Sequence, residues 1–109
     1  MQFKPFDEKN PAPNEFAADM MRGDFYITKG ARDKFKPTEV RQVILRHMRL
    51  DWKDMDKEDQ ELNLAAAMEG NDRVLGAYRI HVTREQPTDL WIVTEKDRSV
   101  TTILLPDEY

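Results

Sequence analysis

Apolar residues change their spacing at Arg73, and no other feature constrains the fold of this chain as much. Before it, the stretch TEVRQVILRHMRL places Val40, Val43, Ile44, His47 and Met48 at i, i+3, i+4, i+7 and i+8, one stripe of an amphipathic helix. After it, RVLGAYRIHVT, DLWIVTE and SVTTILL alternate with period two and are rich in β-branched and aromatic residues. The separators REQP and KDR are short, which favours antiparallel hairpins over crossovers. The expected fold is therefore α+β: an N-terminal arm and helices packed on one face of a three-stranded antiparallel meander at the C-terminus. At 109 residues the chain reads as a single domain, with an extended arm over 1–13, a mainly helical part over 14–70 and the sheet over 73–105.

Pro5, Pro11 and Pro13 keep the arm extended, and Phe3 and Phe6 can anchor it to the body or to a partner. NEFAADMMRG reads as a short helix capped by Asn14 and stopped by Gly23, and DFYITK opens with a brief strand over 25–28. Thr38, just after Pro37, is the expected cap of the first long helix. Asp54 or Asp56 should cap the second, with Leu62, Ala65 and Ala66 on its buried stripe, Leu64 and Met68 beside it, and Gly70-Asn71 closing it. Trp52 is expected to fill the joint between the two helices.

Composition removes whole classes of chemistry. With no cysteine there is no disulfide, thiolate nucleophile or cysteine-ligated zinc. No apolar run is long enough to cross a bilayer, and MQFKPFDEKN is charged where a signal peptide is apolar, so the cytoplasm is the expected location. No phosphate-binding loop, dinucleotide fingerprint or nucleophile elbow is present, and no cofactor is expected. The run Asp54, Asp56, Glu58, Asp59, Glu61 lacks the glycine and oxygen spacing of a calcium loop and suits a helix start, so no metal is expected either. His47, on an apolar stripe, reads as a satisfied core imidazole.

Net charge is -4, unevenly divided: residues 1–54 carry 11 Lys/Arg against 9 Asp/Glu, and residues 55–109 carry 6 against 12. An acidic whole argues against unspecific coating of nucleic acid, because phosphate affinity grows with the cations engaged.

If the hairpins pair symmetrically, Val82 faces Leu90 and Trp91 faces Thr102. Tyr78, Ile80, Val82, Leu90, Ile92, Ile103 and Leu105 then form the core face. Arg79, His81, Trp91, Val93, Val100 and Thr102 take the opposite face, with Glu95 and Arg98 beside it. That second face has two readings. As a plain surface it is partly covered by the N-terminal arm. As a site it offers Trp91, Arg79, His81, Glu95 and Arg98 for binding. It could also cut RNA, with His81 as acid or base, Arg79 on phosphate and Thr102 as polar partner.

GNDRVLGAYRIHV, DLWIVTEKDRSVTTILLPDEY and the preceding RH and DW pairs resemble small uncharacterised plasmid- and phage-borne bacterial proteins, often labelled plasmid-related protein, over residues 26–109. In that family a glycine often precedes the Asp-Trp pair, where this chain has Leu50. The resemblance implies a mobile-element setting and no reaction. The order of elements is also similar to RelE/barnase-type ribonucleases, at the level of fold alone. The leading expectation is a small non-enzymatic protein that binds a host or element-encoded protein. A ribonuclease or RNA-binding protein using Arg79, His81, Trp91 and Thr102 is the alternative, and an acidic nucleic-acid mimic is a third.

Overall fold

The stripe of the first long helix decides the centre of the molecule. In the computed structural model, which describes residues 1–6, 9, 19–70, 72–80 and 87–109, the helix α2 (Pro37–Met48) buries Val40, Val43, Ile44, His47 and Met48 together. Each fully buried aliphatic side chain contributes roughly 1.5–3 kcal/mol. The helix starts ahead of Thr38: Pro37 occupies its first turn, where a missing N–H costs nothing, and Glu39 reaches back to accept from the Lys36 N–H at 2.8 Å. A short helix α1 (Lys29–Lys34) precedes it, capped by the Thr28 hydroxyl. A third, α3 (Lys57–Glu69), follows and ends on Gly70, whose φ of 69° is the left-handed conformation that glycine adopts most easily.

The sheet has five strands among the described residues, not three, and it is mixed. Its strands are β1 (Gln2–Phe3), β2 (Asp24–Ile27), β3 (Val74–Ile80), β4 (Thr88–Thr94) and β5 (Val100–Leu104), in the order β1-β2-β5-β4-β3. The expected meander β3-β4-β5 is present. The free edge of β5 takes β2 in parallel, with Phe25 opposite Thr101 and Ile27 opposite Ile103. Phe25 and Ile27 are buried while Asp24 and Tyr26 are exposed, the alternation of a half-covered strand. Four residues of alternation do not name their partner, which is why the sequence pattern missed this strand's place. Part of the expected arm becomes β1, paired antiparallel to β2, and Phe3 and Phe6 set their rings edge-on to Phe25 at 5.7 and 5.9 Å.

Both hairpin registers differ from symmetric pairing. Leu90 faces Tyr78, not Val82, and Trp91 faces Leu104, not Thr102. In the second hairpin the cause is the turn: Arg98, at φ 63°, donates its N–H to the Glu95 carbonyl, and Glu95 donates to Val100. In the first, the observed register sets Gly76 opposite Ile92 and Tyr78 opposite Leu90. Gly76 lies under the His47 imidazole, where a Cβ would stand 2.9 Å from Nδ1 and 2.7 Å from the Tyr78 ring. Both shifts are even, so side chains keep their faces. Val74, Tyr78, Leu90, Ile92 and Ile103 are buried on the helix side, and Arg79 is exposed on the other.

The second long helix is set differently from expectation. Leu62 is 64 % exposed, Leu64 46 % and Met68 65 %, whereas Asn63, Ala66 and Ala67 are buried. Ala65, placed on the buried stripe by its spacing, is exposed as well. The expected helix around Asn14 lies largely outside the described residues, as do His81, Val82 and Asn71; Met20 and Met21, at its end, are buried.

Candidate functional site

A string of polar groups crosses the core under the sheet. Trp52 Nε1 donates to His47 Nδ1 at 3.2 Å, His47 Nε2 lies 3.2 Å from Thr94 Oγ1, and Thr94 Oγ1 lies 3.0 Å from Thr101 Oγ1. An indole N–H can only donate, so Nδ1 accepts and the imidazole proton sits on Nε2. Nε2–H therefore donates to Thr94, while either hydroxyl of the Thr94–Thr101 pair can donate to the other. Burial, assisted by the Arg98 charge, lowers the His47 pKa to about 3, so the ring stays neutral. Sealed from solvent and fully bonded, His47 is a structural residue and Trp52 fills the helix joint beside it.

The Arg98 guanidinium is also structural. It is 6 % exposed and donates to the carbonyls of Ala66 and Asp72 at 2.9 Å and of Glu95 at 3.4 Å, so it ties the last turn of α3 to the β4–β5 turn. A cation there also suits the negative end of the helix. It therefore points to the helix side, whereas the sequence places it in the turn beside the Trp91 face. At φ 63° within the turn, its side chain swings inward.

On the opposite face of the sheet, Arg79 pairs with its cross-strand neighbour Asp89 at 3.4 Å, while its backbone N–H donates to Asp54. Trp91 is half-buried and meets Tyr109 edge-on at 5.5 Å, with the Arg73 guanidinium 5.5 Å over the tyrosine ring. The C-terminal turn (Pro106–Glu108) thus brings Tyr109 over the indole, a role expected of the N-terminal arm; the arm's Phe3 and Phe6 pack on Phe25 instead. Thr102 and Val93 face each other across β4 and β5, and Glu95 starts the turn. His81 lies outside the described residues, so the proposed acid-base group has no described position beside Arg79 and Thr102. Trp91 Nε1 and the Tyr78 hydroxyl are buried without a hydrogen-bond partner among the described residues. Burial pushes the Tyr78 phenol up, and the Arg46 guanidinium stands 4.6 Å over its ring.

Two surfaces among the described residues were not anticipated. One is the outward face of α3, where Leu64 and Met68 emerge one turn apart, with Leu62 exposed on another flank of the helix and Glu58, Asp59 and Glu61 in its N-terminal half. Among the described residues those three carboxylates carry no hydrogen bond or ion pair. The other is a cleft of about 350 Å³ between the β1–β2 edge and helices α1 and α2. Phe3, Phe6, Phe35, Val40 and Ile44 line it, and Arg32 and Arg41 supply its charge. The sequence carried one signal for the first surface: Leu62 lies off the i, i+4 pair Leu64 and Met68, so the three make no single stripe of the kind seen in α2. The cleft had none, because its lining comes from β1, β2, α1 and α2 together.

Among the described residues no group of three or more His, Asp or Glu side chains could hold a metal ion, and no helix is long and apolar enough to cross a membrane. Comparison with protein-family profiles, with curated proteins and with solved structures returned no match.

Proposed function

We propose that this protein is a non-enzymatic interaction module that holds another protein through the outward face of α3. One observation carries the reading: the helix turns Ala66, Ala67 and Asn63 inward and presents its large apolar side chains to solvent. Adjacent exposed apolar side chains such as Leu64 and Met68, one turn apart, mark interaction surfaces. Glu61, one turn before Leu64, and Glu58 behind it carry no ion pair among the described residues, and they select the partner's chemistry, an apolar groove edged by Lys or Arg. The resemblance to plasmid- and phage-borne proteins supports a host or element-encoded protein as the partner class. The Trp91 face is a weaker candidate, since Tyr109 already occupies part of it.

The test compares immobilised wild-type protein with Leu64→Glu and Met68→Glu, both exposed and expected to melt with the wild type, and with Gln42→Glu as a control on another exposed surface. A protein retained by the wild type and the control but lost from both α3 variants supports the reading. Equal retention by all four proteins rejects it.

A further inference from the structure

The two unanticipated surfaces complement one another. Over Lys57–Glu69 the α3 helix carries one cation against four carboxylates, and over 29–41 the α1–α2 segment beside the cleft carries five cations against two carboxylates. The charges that matter are available. The Arg41 side chain has no ion pair or hydrogen bond among the described residues, and neither do the side chains of Lys34, Glu58, Asp59 or Glu61. Their apolar parts match as well: Leu64 and Met68, one turn apart, are knobs, and the cleft is a hollow of about 350 Å³ lined by three phenylalanines and branched aliphatics.

Topology keeps the two surfaces apart within one molecule. Helix α3 packs on β3 at one edge of the sheet, where Asn63 Nδ2 donates to the Leu75 carbonyl at 2.6 Å. The cleft opens beside β1 and β2 at the other edge. Four strand spacings separate the edges, roughly 19 Å at about 4.8 Å each. A knob on one edge and a hollow on the other can meet only between molecules.

We infer that the partner chemistry assigned to α3 is met by a second copy of this chain, whose Arg32–Arg41 cleft receives Leu64 and Met68. The inference rests on α3 being the contact surface. Each contact leaves one knob and one hollow free, so the association is head-to-tail and extends beyond a dimer unless the ring closes. A single helix face makes a small interface, so the association is weak and salt-sensitive.

Sedimentation velocity on three proteins tests it: the wild type, Arg41→Glu (hollow blocked) and Leu64→Glu (knob blocked). Both sites are exposed, and unchanged melting temperatures confirm intact folds. The wild-type weight-average mass should rise with concentration and fall back as salt is added, while each variant stays at one protomer. An equal mixture of the variants should rise to two protomers and stop, because it holds one intact knob and one intact hollow. A wild type that remains a monomer up to about 1 mM overturns the inference, as does a mixture no heavier than either variant alone. If self-association is absent while Leu64→Glu still loses a captured protein, the α3 surface stands and the second copy is rejected as its occupant. If Leu64→Glu loses nothing in either assay, both readings fall.

Discussion

Helices α2 and α3 are 12 and 13 residues long and share one core, yet they treat their apolar residues in opposite ways. Helix α2 buries its stripe and is held by hydrophobic contact. Helix α3 buries only Asn63, Ala66 and Ala67, and its hold is largely polar. The Asn63 amide brackets the Leu75 backbone, donating to its carbonyl at 2.6 Å and accepting from its N–H at 3.4 Å, while Arg98 grips the Ala66 carbonyl. A helix docked on a strand edge by hydrogen bonds need not spend its large side chains on the core. Those side chains become available for contact with another molecule, and the edge of β3 is partly shielded from unwanted strand pairing.

Core truncation gives the sharpest contrast. Ile44→Ala, at a site 3 % exposed, is expected to cost about 3 kcal/mol in urea unfolding. Leu64→Ala should change stability by less than about 0.5 kcal/mol. Similar losses at the two positions would erase the distinction between the helices.

Acidity should act on the α2 side first. The His47 pKa is about 3 when folded against an ordinary 6.5. Below 6.5 the unfolded chain takes up a proton that the native state refuses, so stability falls as pH falls, by about 1.4 kcal/mol per unit. Between pH 6.5 and about 5 the loss should approach about 2 kcal/mol. Asp51, whose carboxyl is held low by its hydrogen bond from Arg46, contributes only at lower pH. His47→Gln should flatten the slope in that window whatever it does to the absolute stability. A slope that survives the substitution would mean that another group titrates.

Smaller effects report on the polar hold of α3. Arg98→Met removes three carbonyl contacts and should cost about 1–2 kcal/mol, with faster hydrogen exchange in the last turn of α3 than in α2. Asn63→Ala should cost about 1 kcal/mol and loosen the same helix, seen as increased exchange of the Leu75 amide. Unchanged exchange in both variants would show that Ala66 and Ala67 hold the helix without polar help.

Much of this was legible in the residue order. The period of 3.6 across Val40–Met48 and the period of two across β3, β4 and β5 follow from how side chains leave a helix and a strand, which any sequence displays locally. Even the inward set Tyr78, Leu90, Ile92 and Ile103 survived two errors of register, because both errors were even-numbered. The location of Arg98 was not legible, since a left-handed φ at a non-glycine residue leaves no mark in the residue type. Nor was the orientation of α3 legible.

What the sequence determined alone was the kind of each main element and the buried stripe of α2, because those depend on spacing along one segment. Tertiary structure decided the rest: β2 running parallel to β5, Gly76 beneath the imidazole, Asn63 on the edge of β3, and the cleft assembled from four separate elements. Each is a contact between residues far apart in the chain, and its free energy depends on what else is already in place. A local pattern carries no record of that.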